Sequence, residues 1–250
     1  MEYLRFIAGN WRLLGFGFVL SFASSFGQTF YIALSSAQIR AEFGLTHGEF
    51  GLLFTVATLA SGVLLIWAGR LIDRIDLRVF TLLVVGPLIL AMAALSVVRS
   101  LVALTIILFL LRFFGQGLLT HTASSTMARY FDRDRGKALG IALLGQPAGE
   151  GVLPLVAVGL IAAVGWRDSW LFGAAVMSVT CLVLLPWLLR GQASRNRAFV
   201  ARTTAKDAAS GAALAGARQW TRGEVLRDSR FYVIAPVVLA VPFIGTGFLF

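Results

Sequence analysis

Seven long apolar runs, separated by short polar segments, dominate the pattern of this chain. Five of them hold at least twenty residues without a formal charge, enough to cross the roughly 30 Å core of a bilayer as a helix. These five are 13–37, 50–69, 79–98, 169–189 and 231–250. Two further runs hold one charge each, Arg112 in 100–128 and Glu150 in 138–166. The pattern predicts a polytopic membrane protein with six complete spans and a seventh that ends with the chain.

The runs are expected to be helical, because a segment in lipid must satisfy its own backbone hydrogen bonds. Two local signals agree with this. Thr46 and Glu49 stand three apart ahead of the second run, and Thr221 and Glu224 do so ahead of the seventh. This is the spacing of a capping box, in which the two residues satisfy the first free amides of a helix. The predicted fold class is an all-α membrane protein.

Composition supports the membrane assignment and indicates how the chain is divided. The sequence is 58% hydrophobic and 14% charged, with a mean hydropathy of +0.83. A soluble domain carries about 25% charged residues. The only long polar segment is rich in Arg, Ala, Ser and Gly. We therefore predict a six-helix bundle over 1–189, a central cytoplasmic loop over 190–229, and the first helix of a second half over 230–250. Such a piece alone is not expected to transport.

The net charge of +10 is distributed in a way that argues against nucleic-acid binding. Of the 22 lysines and arginines, 18 fall in the N-terminal segment and in alternate loops. Only Arg40, Arg99 and Arg167 lie in the other loops. Because lysine and arginine concentrate on the cytoplasmic face, the N-terminus is predicted to be cytoplasmic. The expected location is the inner or plasma membrane, with the lipid bilayer as partner.

Arg112 and Glu150 are the charges that a membrane span should not contain. Each costs about 2.5–3.5 kcal/mol on insertion scales, so each is expected to face a cavity or a partner. Counted along antiparallel helices, their depths differ by four residues, about 6 Å. The sequence therefore predicts that they pair inside the bundle. They serve either substrate and ion coupling or only the packing of the bundle.

Uncharged polar residues within the runs form a second set of candidates. Gln28 lies in the first run, Gln116 and His121 in the fourth, and Gln146 in the fifth. Such residues either hold helices together or line a substrate path, and His121 could relay a proton. The sequence contains no CxxC, HExxH, GxSxG or Walker pattern. We therefore predict no enzymatic activity, no catalytic residue, no metal site and no cofactor.

The loop from Gly69 to Arg78 resembles the signature of the major facilitator superfamily between helices 2 and 3. Gly69, Asp73, Arg74 and Arg78 match that signature, whereas Asp76 stands where a second glycine is expected. Three further segments resemble the same superfamily. They are Arg112-Phe-Phe-Gly-Gln-Gly, Gly145-Gln-Pro-Ala-Gly and Gly165-Trp-Arg. The segment 130–140 resembles the helix 4–5 loop of the monocarboxylate-porter-like members.

The resemblance implies twelve helices in two six-helix halves, each of two three-helix repeats, around a substrate cavity with alternating access. It implies a symporter or uniporter that acts as a monomer on a small solute such as a monocarboxylate, with the proton as candidate coupling ion. Arg112, Glu150, Gln28, Gln116 and Gln146 would then serve substrate or coupling. Gly69, Asp73, Arg74 and Arg78 would form a cytoplasmic gate.

Two other function classes fit a chain of this kind. A membrane-embedded lipid-modifying enzyme would need a catalytic set near an interface, which His47 and His121 do not supply. A non-transporting sensor or scaffold could share the same fold, and a flux assay would separate it from a transporter.

Overall fold

The computed structural model describes residues 2–73, 75–131, 134–201 and 222–247. Within these ranges all regular structure is helical, which confirms the predicted fold class. The α-helices are α1 (Glu2–Ala23), α2 (Thr29–Ala33), α3 (Ser36–Phe43), α4 (His47–Ala68), α5 (Leu77–Ser96), α6 (Leu101–Leu110), α7 (Thr120–Tyr130), α8 (Arg135–Leu143), α9 (Gly145–Leu188), α10 (192–201), α11 (Arg222–Arg227) and α12 (Ser229–Gly247). Short 3₁₀ segments cover Ser24–Gly27 and Gly69–Asp73, and a π-helix covers Leu111–Leu119.

The chain divides into two compact units, 1–190 and 191–250. The described residues hold five helical stretches long and apolar enough to span a membrane, all in the first unit. The last stretch, Arg135–Leu188, has 54 residues, about 80 Å at 1.5 Å per residue. Gly165, with φ of 83° and ψ of 166°, interrupts it. The stretch is therefore two crossings, and the unit has six spans.

One of the two capping boxes predicted from the sequence is seen at the start of the second span. Thr46 Oγ1 accepts a hydrogen bond from the amide of Glu49 at 3.2 Å, and the amide of Thr46 donates to Glu49 Oε2 at 2.8 Å. The capping box predicted at the start of α4 is confirmed. Glu224 lies in α11, but Thr221 lies outside the described residues, so the second predicted box stays a prediction.

The first span, Glu2–Ala33, is broken near its C-terminal end, which the apolar pattern did not predict. After α1 and the 3₁₀ turn, Gln28 takes an extended conformation with φ of −78° and ψ of 152°. The helix then resumes as α2. A break of this kind frees backbone groups that need partners, and membrane proteins tolerate it only where protein or a cavity supplies them.

The first three spans pack mainly against the last three. The first span lies against α7, α8 and α9, α4 lies against α6 and the π-helix, and α5 lies against α9 and the π-helix. Glycines allow the closest approaches. A Cβ on Gly27 would lie 2.7 Å from the Cα of Gly115, and a Cβ on Gly145 would lie 2.7 Å from the amide nitrogen of Phe22. The first span is thus fixed by backbone contact with the fourth and fifth spans.

Segments rich in basic residues meet at one end of the unit. Lys137 Nζ lies 3.7 Å from Glu2 Oε1, and Arg129 Nη1 donates to the carbonyl of Ile72 at 3.4 Å. Arg78 Nη2 donates to the carbonyl of Leu189 at 2.9 Å. The N-terminal segment and the connections after the second, fourth and sixth spans therefore share one end, as the charge pattern predicted.

Arg167 holds the opposite end together. Its guanidinium forms an ion pair with Glu42 and donates to the carbonyls of Ser96 at 2.7 Å and Val98 at 2.6 Å. Trp166 Nε1 also donates to Glu42, at 3.2 Å. One arginine thereby joins α3, the end of α5 and the start of the sixth span.

Acidification should weaken this end of the bundle. The hydrogen bond from Arg167 holds the pKa of Glu42 below its ordinary value of 4.5. A carboxylate with a depressed folded-state pKa adds stability above its unfolded-state pKa, and that stability is lost as the pH falls through the folded-state value. Because the Glu42 side chain is 43% exposed, the effect should be at most about 1 kcal/mol.

Glu42→Gln should therefore flatten the decline in unfolding free energy below a pH of about 4.5. Thermal unfolding of the detergent-solubilised protein across that range measures this decline. Asp168→Asn is the matched control, since Asp168 is exposed next to Arg167 and forms none of the ion pairs found among the described residues. An unchanged pH profile in Glu42→Gln would contradict the assignment.

Candidate functional site

Arg112 lies in the π-helical part of the fourth span and is only 6% exposed. π-Helical turns are rare and often occur at functional sites. Here the π-helix crosses the broken first span, and the Cα of Gly115 and the backbone of Gly27 approach so closely that neither position has room for a Cβ. The wide turn and the break thus lie side by side, with Arg112 beside them.

Neutral groups hold the Arg112 guanidinium. Nε donates to Thr58 Oγ1 at 3.1 Å, and Nη1 donates to the carbonyl of Gly27 at 3.2 Å and to Thr29 Oγ1 at 3.1 Å. The guanidinium carbon also lies 5.0 Å from the ring centre of Phe54, a cation–π contact. The partners of Arg112 therefore come from both sides of the break in the first span and from α4.

The predicted pairing of Arg112 with Glu150 is wrong. Glu150 is exposed on the surface of the unit and accepts a hydrogen bond from Gln146 Nε2 at 3.2 Å. The physical reason is rotation about the helix axis. Gly149 is buried and faces Ser25 of the first span, and the next residue points about 100° away at 3.6 residues per turn. Similar depth in the membrane did not place the two charges on facing surfaces.

An open cavity of about 410 Å³ lies between α4 and the fourth span. One wall is formed by α4 residues, namely Thr58, Ser61, Gly62 and Leu65. The other wall is formed by Arg112, Gln116, Gly117, Thr120, His121 and Ser124. The cavity thus combines one cation with a series of hydroxyl and amide groups, which can bind an anion that also carries polar substituents.

The predicted site residues lie in three places. Arg112, Gln116 and His121 line this cavity. Gln28 lies at the break and is 8% exposed, next to the Gly27 carbonyl that binds Arg112. Gln146 and Glu150 bond to each other on the fifth span and are not among the residues that line the cavity.

His121 connects the cavity to the predicted gate. Its Nε2 lies 2.8 Å from the carbonyl oxygen of Gly69. A carbonyl oxygen only accepts, so Nε2 carries the proton there. Gly69 ends α4 and opens the 3₁₀ turn of the motif. Arg74 and the side chain of Asp73 lie outside the described residues, so their part in a gate stays a prediction.

Comparison with known proteins decides the family. Residues 17–250 match the family model of the Major Facilitator Superfamily. The chain belongs to the major facilitator superfamily. This confirms the resemblance seen in the loop after the second span and in the motifs of the later spans.

A curated superfamily relative is the probable sulfoacetate transporter SauU of Cupriavidus necator. It is 29% identical to this chain over 149 residues, which is 58% of the chain and 34% of that protein. The match therefore spans about a third of that relative's length.

The sequence did not indicate that Thr58, Phe54 and the Gly27 carbonyl hold Arg112 in this superfamily member. Thr58 and Phe54 lie in an uncharged apolar run, where a threonine and a phenylalanine give no signal of their own. The Gly27 carbonyl becomes available only because the helix breaks at Gln28. The one available hint was the Gly27-Gln28-Thr29 sequence in an apolar run, since glycine weakens a helix and the other two residues are polar.

Proposed function

We propose that the chain forms part of a secondary transporter that moves a small organic anion across the cytoplasmic membrane by alternating access. In this proposal residues 1–189 are a six-helix bundle, 190–229 a cytoplasmic loop, and 230–250 the first helix of a second bundle. The N-terminus is cytoplasmic, as the basic asymmetry indicates.

The observation that carries the proposal is a buried cation without a fixed counter-ion. The three ion pairs found among the described residues join Lys137 to Glu2 and Asp134, and Arg167 to Glu42. None of them includes Arg112. A guanidinium held only by two hydroxyls, one carbonyl and an aromatic ring still favours an anion. Because Arg112 lines the cavity, a substrate anion can supply that partner.

The broken first span supports a transport role for the same place. Interrupted helices bring backbone groups to substrate sites in secondary transporters. The freed Gly27 carbonyl fixes one edge of the guanidinium, while Nη2 makes no hydrogen bond within the described residues. The guanidinium is thus oriented and keeps donors for a ligand.

The charge of the site and the name of the relative support the proposed substrate class. One unpaired cation suits a carboxylate or a sulfonate, and the relative is named for sulfoacetate, which carries both groups. We propose the proton as coupling ion. Glu150 and His121 are its candidate carriers, because each has a titratable group on a membrane-spanning helix.

Flux through the complete protein in proteoliposomes tests the proposal. Uptake of sulfoacetate and of acetate should exceed that of neutral acetamide, and a pH gradient should alter the rate of anion uptake. Empty liposomes give the background. Absence of specific anion uptake under every gradient would contradict the transporter proposal and favour a non-transporting protein of the same fold.

A further inference from the structure

Two hydrogen bonds cross between the walls of the cavity. Arg112 Nε donates to Thr58 Oγ1 at 3.1 Å. His121 Nε2 donates to the carbonyl oxygen of Gly69 at 2.8 Å, about one helical turn beyond Leu65, the last α4 residue that lines the cavity. Both walls run from the sparsely charged end of the unit towards its basic end. The bond from His121 therefore joins the walls on the side nearer the basic end.

The fourth span holds the turn that follows α4 through two backbone carbonyls. Gly69 opens this 3₁₀ turn, Gly69–Asp73, and its carbonyl accepts from His121. Arg129 Nη1 donates to the carbonyl of Ile72 at 3.4 Å. His121 and Arg129 are eight residues apart, so they lie on one face of α7. One helix face thus holds the turn near both of its ends.

The imidazole of His121 packs directly on the backbone of Gly69, because position 69 has no side chain. A Cβ there would lie 3.1 Å from His121 Nε2 and 3.4 Å from both Cδ2 and Cε1. The first of these separations is shorter than ordinary van der Waals contact, so either the ring or the turn would have to shift. The glycine that ends α4 thus brings its carbonyl within hydrogen-bond reach of the ring.

This hydrogen bond persists whether or not His121 is charged. A neutral imidazole with its proton on Nε2 donates from that nitrogen, and an imidazolium donates from both. The carbonyls at the C-terminal end of a helix carry partial negative charge, which favours a donor or a cation there. A coupling proton on His121 would therefore occupy Nδ1 and leave the bond to Gly69 in place.

We propose that His121 is a positioning residue that couples the turn Gly69–Asp73 to the fourth span. Its Nε2–H holds the turn at a fixed distance from the cavity that contains Arg112, so the turn follows when the fourth span moves during transport. The inference rests on the proposed function. Without the bond, an anion still binds Arg112, but the turn follows the fourth span incompletely and the transport cycle slows.

Hydrogen exchange of the complete purified protein measures how firmly the turn is held. In His121→Leu the amides of residues 69–73 should exchange about 2- to 10-fold faster, the range expected from loss of one neutral hydrogen bond. His121→Gln should restore slow exchange, because its amide NH₂ donates from a similar distance along the side chain. His47→Leu is the matched control, since His47 is exposed at the start of α4.

Sulfoacetate uptake in proteoliposomes separates positioning from binding. His121→Leu should lower the maximal rate of uptake by about 2- to 10-fold, again the effect of one neutral hydrogen bond. The Kd for sulfoacetate should keep its wild-type value, because Arg112 is unchanged. His121→Gln should recover the rate, and His47→Leu should leave both the rate and the Kd unchanged.

Several results would overturn the inference and leave the transporter proposal intact. Unchanged exchange or unchanged uptake in His121→Leu would do so. A raised Kd would make His121 an anion-binding residue, and failure of His121→Gln to recover the rate would show that the donated hydrogen bond is not what matters. Gly69→Ala serves if His121→Leu does not fold, because its Cβ presses on the same ring. Absence of uptake by the wild type overturns both proposals.

Discussion

Replacing Arg112 with glutamine should abolish measurable anion uptake by the complete protein. Removing one partner of a buried, hydrogen-bonded charge pair costs about 2–5 kcal/mol of binding, which is roughly a 30-fold loss of affinity or more. Arg112→Lys should recover little of the anion uptake. An ammonium cannot reproduce the planar guanidinium fork that reaches Thr58, Gly27 and Thr29. Uptake in proteoliposomes at equal protein density measures the effect.

Arg5→Gln is the control for this prediction, since Arg5 is exposed near the N-terminus. The fold should survive in Arg112→Gln, because replacing a buried charge by a neutral residue need not destabilise a protein when no buried carboxylate is left behind.

The effects of Arg112→Gln and Glu150→Gln on unfolding free energy should add. A strong coupling energy between the two substitutions would indicate that Arg112 and Glu150 form an ion pair, against the structure.

Gly115→Ala should destabilise the bundle more than ordinary overpacking, which costs about 1–3 kcal/mol. The new Cβ would lie 2.7 Å from the Cα of Gly27 and 2.9 Å from its nitrogen. Both atoms are backbone, so relief requires the first and fourth spans to move apart. Because the same crossing holds Arg112, anion binding should fall with stability. Unfolding of the detergent-solubilised protein measures the cost.

Gly86→Ala is the matched control, because Gly86 lies within α5 and a Cβ there would meet nothing within 4 Å. It should gain about 0.5–1 kcal/mol, since alanine is the better helix former. Equal stability of the two variants would show that the first and fourth spans separate freely, against the close crossing described above.

The fold was largely predictable because each of its main signals is local. The apolar runs, the glycine at the end of the fifth run and the Thr46–Glu49 box each depend on a few neighbouring residues. The charge pattern also predicted correctly which segments share an end of the bundle. That Arg112 is buried and hydrogen-bonded within the bundle was also predictable, because a charge within a span must find compensation.

The partners of Arg112 depend on geometry that local patterns do not carry. The break at Gln28 and the π-helix at Leu111–Leu119 change which backbone groups are free and which direction each side chain takes. Depth along ideal helices predicted Glu150 as the partner, but contact also requires facing surfaces. The close packing of Gly149 on Ser25 turns Glu150 away.

Gly165 determines whether the bundle crosses the membrane an even or an odd number of times. An odd number of crossings would place Glu2 and Leu189 on opposite faces of the membrane, whereas an even number returns the chain to the face where it began. Without the turn at φ of 83°, the stretch Arg135–Leu188 would count as one crossing and the total would be five. That backbone conformation is open almost exclusively to glycine. A single residue without a side chain therefore decides whether Glu2 and Leu189 lie on the same face of the membrane or on opposite faces.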